Sequence, residues 1–139
     1  MTKTAVRYVL FLVCAAQLFF AVAFFTQLPL AVNLWPFAGT TPLTFIFSAS
    51  IFAAAAASTV WAVATENYGA LAGIGLDYLL ILAPVSILSF TLGAGNGDVR
   101  MIAYGAACVL GALFGLWLMR WSMRHPIDAT RPMPRLVRW

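Results

Sequence analysis

The chain has 139 residues, of which 63% are hydrophobic and only 9% charged, and its formal net charge is +4 at pH 7. About a quarter of the residues in soluble domains are charged, so this composition excludes a water-soluble fold. The basic residues collect near the two ends of the chain rather than along one face, which excludes nucleic-acid binding and indicates an orientation signal in a membrane.

Four long apolar runs separated by short polar breaks predict four transmembrane helices. A helix rises about 1.5 Å per residue, so about 20 apolar residues cross a hydrocarbon core about 30 Å thick. The predicted spans are 9–25, 43–64, 71–90 and 101–119. They make one membrane domain over 1–125, followed by a basic tail at 126–139 that is rich in proline and arginine. The predicted fold is an all-α, antiparallel four-helix membrane bundle, in which the very short break at 65–69 makes the second and third spans neighbours.

The first span begins after Lys3 and Arg7, a basic start that secretory signal peptides share. Its apolar run is longer than a signal-peptide core, which favours a retained anchor, with cleavage near 21–23 as the alternative. Cys14 and Cys108 both fall inside predicted spans. We interpret them as packing residues, because a free cysteine behaves as a small buried hydrophobe and structural disulfides form in oxidising aqueous compartments.

The two connections on the far side of the membrane differ in character. The first, 27–42, contains three prolines and Trp35 but no charged residue. Because proline blocks a continuous helix and tryptophan prefers the headgroup level, we expect this segment to lie in the membrane interface. The second, 93–97, is glycine-rich and is followed by Asp98, which is predicted to cap the N-terminus of the fourth helix.

The basic residues predict that both termini are cytoplasmic. Lys3 and Arg7 precede the first span and five arginines follow the last, whereas the connection between the third and fourth spans carries only Arg100. Positive charge concentrates on the cytoplasmic side of membrane proteins, and an even number of spans returns the chain to its starting side. We expect the basic tail to contact anionic lipid headgroups, with docking to a cytoplasmic partner as the alternative.

Asp77 is the most informative side chain, because a carboxylate inside a span is costly and normally faces other helices or a wet cavity. It lies about seven residues, or roughly 10 Å, from the cytoplasmic end of the third span. If that helix begins early, Glu66, eleven residues before Asp77, lies on the same face. With Gln17 in the first span, these residues form a candidate intramembrane polar site. The alternative, which we favour, is that Asp77 pairs with Arg7 or Arg120 and fixes the order of the helices.

Small residues recur at four-residue spacing and are predicted to pack helices closely, since helix association in lipid depends on close approach. The candidate packing residues are Ala49, Ala53, Ala57, Gly69, Gly73, Gly111 and Gly115. The pattern leaves open which of them face the bundle and which face another chain.

No residue pattern indicates catalysis, a metal or a cofactor. His125 is the only histidine and lies beyond the last span. Paired haem ligands inside the membrane, a zinc site and a histidine base for a serine or cysteine nucleophile are therefore not expected. We predict a protein that is not an enzyme and that has no catalytic residues, metal or cofactor.

The stretch 34–44, which reads LWPFAGTTPLT, precedes an alanine-rich span and an acidic break at Glu66. This pattern resembles uncharacterised small bacterial membrane proteins with four spans. The resemblance covers about a third of the chain. It implies the four-span topology and location in a bacterial inner membrane, and it transfers no activity.

The predicted function follows from topology and packing. We expect an accessory or scaffolding subunit that packs against other membrane proteins, or against copies of itself, through its small-residue faces. The alternative is a small homo-oligomeric transporter or channel, in which Asp77, Glu66 and Gln17 line a path between protomers.

Overall fold

The computed structural model describes residues 3–37 and 41–127, and every regular element in this part of the chain is helical. The helices are α1 (Lys3–Phe25), α2 (Pro29–Leu34), α3 (Pro42–Ala64), α4 (Leu71–Asn96) and α5 (Val99–Ser122). A single 3₁₀ turn, Tyr68–Ala70, leads into α4. The predicted basic tail lies outside the described residues from 128 onward.

Four of these helical segments are long and apolar enough to cross a membrane: Thr4–Phe25, Pro42–Ala64, Tyr68–Asn96 and Val99–Ser122. The prediction of four apolar spans in an all-helical chain is therefore confirmed. Within the most apolar stretch of each segment, only 17 to 33% of the residues are buried by the rest of the chain. Most side chains on these helices are left to face lipid or other proteins.

The third span is longer than predicted. It was expected to end at Phe90, but α4 remains helical to Asn96. The sequence after Phe90 contains two glycines and an asparagine, which are weak helix formers, and this composition favoured a loop. The helix also passes through Pro84.

A tight turn joins α4 to α5. Gly97 has a φ of 67°, in the left-handed region that glycine adopts without steric cost. Its N–H donates to the Gly93 carbonyl and ends the helix. The next residue, Asp98, accepts a hydrogen bond from the backbone N–H of Arg100 at 2.9 Å, so the predicted cap of the last helix is present.

The connection between α3 and α4 is held in place by hydrogen bonds from both sides. The Asn67 N–H donates to the Ala62 carbonyl at 2.9 Å. From the end of α5, the Ser122 hydroxyl donates to the backbone carbonyls of Tyr68 and Gly69. These bonds fix the short connection against the last turn of α5.

Glu66 lies in this connection rather than on α4. Its φ of 54° is left-handed, and α4 begins only at Leu71. The condition under which Glu66 and Asp77 share a helix face is therefore not met. Instead, Glu66 Oε1 lies 3.9 Å from Arg7 Nη1. Both side chains are exposed, and an ion pair between exposed side chains contributes little to stability.

The helices associate as two pairs. Most contacts between helices are those of α1 with α3 and of α4 with α5. Buried positions on α5 recur at steps of three and four residues, which keeps them on one helix face. They are Met101, Gly105, Cys108, Ala112, Gly115, Leu118 and Ser122.

The α4–α5 pair is closest at Gly75 and Gly115. A Cβ atom added to Gly75 would lie 2.5 Å from the Gly115 carbonyl oxygen and 2.7 Å from the Met119 backbone nitrogen. Towards the other end of the pair, Gly93 faces Ile102. As residue numbers increase along α4, the residue numbers of the positions that they contact on α5 therefore decrease. Small side chains allow the two backbones to touch.

The two pairs meet at the end of the bundle where α1 begins and α5 ends. Buried residues from both pairs form one core there: Val6, Leu10, Ala62, Tyr68, Leu71 and Leu118. Trp117 and Trp121 stack beside this core with ring centroids 6.4 Å apart.

A second core lies at the opposite end and belongs to α1, α2 and α3. Its buried members are Ala23, Phe24, Ala31, Phe45 and Ala49. Among the described residues, neither α4 nor α5 adds a buried side chain to it. The two pairs are therefore packed together at one end and separate towards the other.

Gly75→Ala should destabilise the protein, because its new methyl group meets backbone atoms of α5 that have no side-chain freedom to yield. We expect a loss of about 1–3 kcal/mol in the free energy of unfolding. The matched control is Gly73→Ala, since a Cβ at Gly73 has no heavy atom within 4 Å. Denaturant titration in detergent micelles, followed by circular dichroism, measures both. Equal stability of the two variants would contradict the close approach at Gly75.

Candidate functional site

A cleft of about 470 Å³ separates the two helix pairs. All four long helices and the end of the α2 segment contribute to its wall. The lining residues are Val13, Gln17, Trp35, Ser48, Ile51, Phe52, Ala55, Asp77, Tyr78, Ile81, Leu82, Val85, Tyr104, Gly111 and Phe114. Most of the wall is apolar, with a few polar groups at defined places, and the volume lies in the range of small-molecule sites.

The main polar contact in the cleft joins the two helix pairs. Gln17 on α1 donates a hydrogen bond from its Nε2 to the hydroxyl of Tyr78 on α4. The Gln17 residue is only 8% exposed. Its carbonyl oxygen, Oε1, is buried without a hydrogen-bond partner in the described part of the chain. A buried acceptor left unpaired carries a desolvation cost of about 1–3 kcal/mol.

Two further polar side chains, Thr59 and Cys14, lie near the Gln17–Tyr78 hydrogen bond. Thr59 on α3 interacts with both Tyr78 and Cys14, while its hydroxyl donates to the Ala55 carbonyl at 2.9 Å. Cys14 is a buried free thiol whose sulfur lies 3.9 Å from the Ala56 carbonyl oxygen. Both groups have polar partners within the bundle, whereas the Oε1 of Gln17 has none among the described residues.

Asp77 adjoins Tyr78 and lines the same cleft. It follows the start of α4 by six residues, a rise of about 9 Å. The side chain is exposed, and no ion pair involving it is found among the described residues. The expected pairing with Arg7 or Arg120 is therefore not formed there.

The two arginines lie elsewhere. Arg7 is beside Glu66, and Arg120 lines a separate cavity with Trp117, Trp121 and Arg124. Asp77 is thus a carboxylate inside an apolar span with no countercharge in the described structure.

Aromatic rings mark the other end of the cleft. Trp35 contacts Phe24 edge-on at 5.4 Å and Tyr104 at 6.2 Å between ring centroids. Its indole N–H is buried without a partner among the described residues. An adjoining cavity of about 480 Å³ shares Trp35, Phe52 and Tyr104 and is also lined by Arg100. The cavity next to this end therefore carries the Arg100 guanidinium, whose Nε lies 3.8 Å from Asp98 Oδ1.

The predicted packing residues divide between the interior and the surface. Ala49 and Gly115 are buried, Gly69 is buried and lies near 125–127, and Gly111 faces Leu82. Ala53 and Ala57 lie on the exposed side of α3, and Gly73 has open space around it. In the described part of the chain, the last three therefore lie at the surface rather than between helices.

The sequence analysis did not predict several residues of the cleft and of the helix packing around it. Tyr78, Trp35 and Tyr104 were absent from the candidate site, and Gly75 from the packing set. Gly75 shares one face of α4 with the other buried positions of that helix, and this burial is known only from the structure. No sequence signal paired Gln17 with Tyr78, which are 61 residues apart.

Residues 3–37 and 41–127 contain no group of three or more histidine, cysteine, aspartate or glutamate side chains that could hold a metal ion. His125 lies against the ring of Trp121, with centroids 4.2 Å apart. Its chemistry is therefore separate from the cleft.

Comparison of the chain with protein-family models, with curated proteins and with solved structures finds no match.

Loss of the Gln17–Tyr78 hydrogen bond should be measurable by a double-mutant cycle. Gln17→Leu and Tyr78→Phe each remove one partner, and the double variant removes both, so the three together isolate the coupling energy. We expect a coupling of about 0.6–1.7 kcal/mol in the free energy of unfolding, the range for hydrogen bonds between membrane helices. The measurement is denaturant titration in detergent micelles.

The control cycle replaces Tyr78→Phe by Tyr8→Phe, since Tyr8 is on the exposed side of α1. That cycle should give no coupling with Gln17→Leu. A coupling of the same size in both cycles would show that the Gln17–Tyr78 contact does not link the helix pairs.

Proposed function

We propose that this protein is a non-enzymatic, multi-pass accessory or scaffolding subunit of a bacterial inner membrane. The observation that supports the proposal is an exposed face on α3 made of small side chains. We call it the α3 small-residue face, and it consists of Ser50, Ala53, Ala54, Ala57 and Ser58. Helix association in lipid relies on small residues that let backbones approach closely, so this face suits a helix of another membrane protein.

The shape of this face supports docking rather than simple exposure to lipid. Bulky exposed side chains stand at its two ends, Phe47 and Trp61, so the small residues form a depression between them. The hydroxyls of Ser50 and Ser58 donate to carbonyls of their own helix at 2.7 and 2.8 Å. A partner helix can therefore approach without having to satisfy new polar groups.

Much of the exposed surface of α1 looks different. On α1 the exposed positions carry large apolar side chains such as Phe11, Leu12 and Phe19. Large side chains cover the backbone and pack well against acyl chains, whereas a row of alanines and serines leaves the backbone accessible. The contrast between α1 and α3 favours α3 as the side that meets another protein.

Transport is the second hypothesis, and the cleft favours it less. Its carboxylate, Asp77, and its amide, Gln17, lie at one end of the cavity, and the rest of the wall is mainly apolar. Ion or proton movement across the bilayer relies on polar groups spaced along the path. A single carboxylate in the lining suits binding better than passage.

The orientation that we propose places both termini in the cytoplasm, with an antiparallel arrangement of the four spans. The basic residues before α1 and after α5 support it through the positive-inside rule. The connection at Glu66 is then cytoplasmic, and the turn at Asn96 lies on the opposite side.

Cysteine labelling tests this orientation. Both Glu66 and Asn96 are exposed, so Glu66→Cys and Asn96→Cys offer comparable thiols, while the native Cys14 and Cys108 are buried. A membrane-impermeant maleimide should label Asn96→Cys in intact cells and Glu66→Cys only after the membrane is permeabilised. The reverse pattern would overturn the proposed orientation.

Site-specific photocrosslinking tests the accessory role. A benzophenone-bearing phenylalanine in place of Phe47, at the rim of the α3 small-residue face, adds no bulk to the face itself. The same residue in place of Phe11 is the matched control, since both side chains are largely exposed, at 65% and 74%. We expect irradiation of native membranes to join the Phe47 position, and not the Phe11 position, to a different membrane protein in a defined product.

A blocking variant makes the outcome specific to the face. Ala54→Trp fills the depression and should abolish the crosslink from position 47, whereas Leu110→Trp, on the exposed side of α5, should leave it unchanged. A product containing only a second copy of this chain would replace the accessory role by self-association. Identical products from positions 47 and 11 would contradict docking through α3.

A further inference from the structure

We propose that the cleft between the helix pairs is a binding site for an apolar molecule that carries a primary ammonium group. The ammonium is held by Asp77 and Gln17, and the apolar body fills the space between α1, α3, α4 and α5. This proposal is independent of docking through the α3 small-residue face, which lies on the other side of α3.

The charge of Asp77 is the first argument. Its carboxylate lies about two turns inside an apolar span and has no ion-pair partner among the described residues. A charge at such depth is normally paired or faces a wet cavity. A bound cation provides the missing countercharge. A hydrogen bond between an ammonium and a carboxylate is stronger than one between neutral groups.

The second argument is the unpaired acceptor of Gln17. This residue is more than nine-tenths buried, with an exposed fraction of 8%, and it lines the same cleft as Asp77. Its Nε2 is used by Tyr78, while its Oε1 has no partner in the described part of the chain. Asp77 and Gln17 both line this cleft, and a primary ammonium has three N–H donors, enough to serve more than one acceptor.

The opposite end of the cleft fixes the direction of the ligand. Trp35 presents an unpaired indole N–H there, and Arg100 lines the adjoining cavity. Donors and a positive charge at that end disfavour an ammonium, so the cationic group is directed to the Asp77 end. The aromatic rings of Tyr78 and Phe114 beside Asp77 line the same space and add attraction for a cation through their faces.

The cleft can be reached from the lipid-facing surface. Ile51 on α3 and Ile81 on α4 line the cleft and are exposed, so its mouth opens sideways between the helix pairs. A ligand with an apolar body reaches such a mouth from within the bilayer. The ammonium then comes either from a free lipophilic amine or from the headgroup of an aminophospholipid, and the two sources are separated by the lipid composition in the test.

The experiment measures equilibrium binding of 4-phenylbenzylammonium to the full chain in phosphatidylcholine nanodiscs, with empty nanodiscs as background. The neutral probe of the same shape is 4-phenylbenzyl alcohol. We expect saturable binding of one ammonium per chain and weaker binding of the alcohol. Asp77→Asn should weaken the ammonium about tenfold or more and change the alcohol little, because only the ammonium uses the charge.

The matched control is Asp98→Asn, which makes the same chemical change outside the cleft at a capping position where asparagine also serves. It should leave binding of both probes unchanged. Failure of the ammonium to bind above the empty-nanodisc background, or equal effects of Asp77→Asn and Asp98→Asn, would overturn the proposal.

A second pair of variants keeps the test decisive if Asp77→Asn fails to fold. Ala55→Phe fills the cleft from α3, whereas Ala106→Phe adds the same group on the exposed side of α5. Loss of ammonium binding in Ala55→Phe alone supports the site, and unchanged binding in both variants overturns it.

The lipid source is decided in the same assay. Replacing part of the phosphatidylcholine by phosphatidylethanolamine lowers the apparent affinity for the probe if the headgroup amine occupies the site. An unchanged affinity assigns the site to a free amine. Because the probe binds within the single chain, this assay gives its result whether or not the crosslinking experiment finds a partner at α3.

Discussion

The backbone contact between Gly75 and Gly115 is the constraint on which the arrangement of the helices depends. Each glycine lies against the carbonyl oxygen of the other, and without side chains between them the two helices touch directly. Lipid gives helices no hydrophobic reason to associate, so this close fit and its dispersion contacts have to supply the attraction. Among the described residues, α4 with α5 is consequently the most extensive contact between helices, and α1 with α3 forms a separate unit beside it.

The cleft is a consequence of how the two units meet. At one end, Val6, Leu71 and Leu118 are almost fully buried in a shared core. At the other end, Phe24 and Phe45 are covered by the short helix α2 rather than by α4 or α5. The α2 segment begins with Pro29, which together with the surrounding prolines prevents the chain from continuing as one helix. At this end the cleft is therefore bordered by a segment that the sequence predicted to lie in the membrane interface.

The number of spans could be predicted from the sequence because it depends on length and apolarity alone, which are local properties. The sequence did not show which face of α3 is turned towards the other helices. This helix contains a run of alanines at 53–57, so stripes through Ala53 or Ala56 look equally suitable, and only contact with α1 buries Ala56 rather than Ala53. The α4 boundary was missed for a related reason, since weak helix formers at its end are held helical up to the turn at Gly97.

The candidate site was predictable in part. Asp77 and Gln17 stood out because polar groups inside a span are costly, and that property belongs to the residue itself. Tyr78 did not stand out, because tyrosine is amphipathic and is unremarkable in a membrane helix. Its role depends on a partner 61 residues away, and such a pairing depends on tertiary contact. The predicted pairing of Asp77 with Arg7 or Arg120 also depends on tertiary contact, since charge alone does not state which arginine comes near.

The turn between α4 and α5 has a further consequence for the order of assembly. Only Gly97 and Asp98 separate these helices, so closing the loop costs little conformational entropy. Contacts between α4 and α5 are local in the chain and can form as soon as both helices have entered the bilayer. Contacts between α1 and α3 also require the longer proline-rich segment between them to be ordered. The pairing of α4 with α5 is therefore determined within one short stretch of the sequence, and this pair provides a surface against which α1 and α3 can pack.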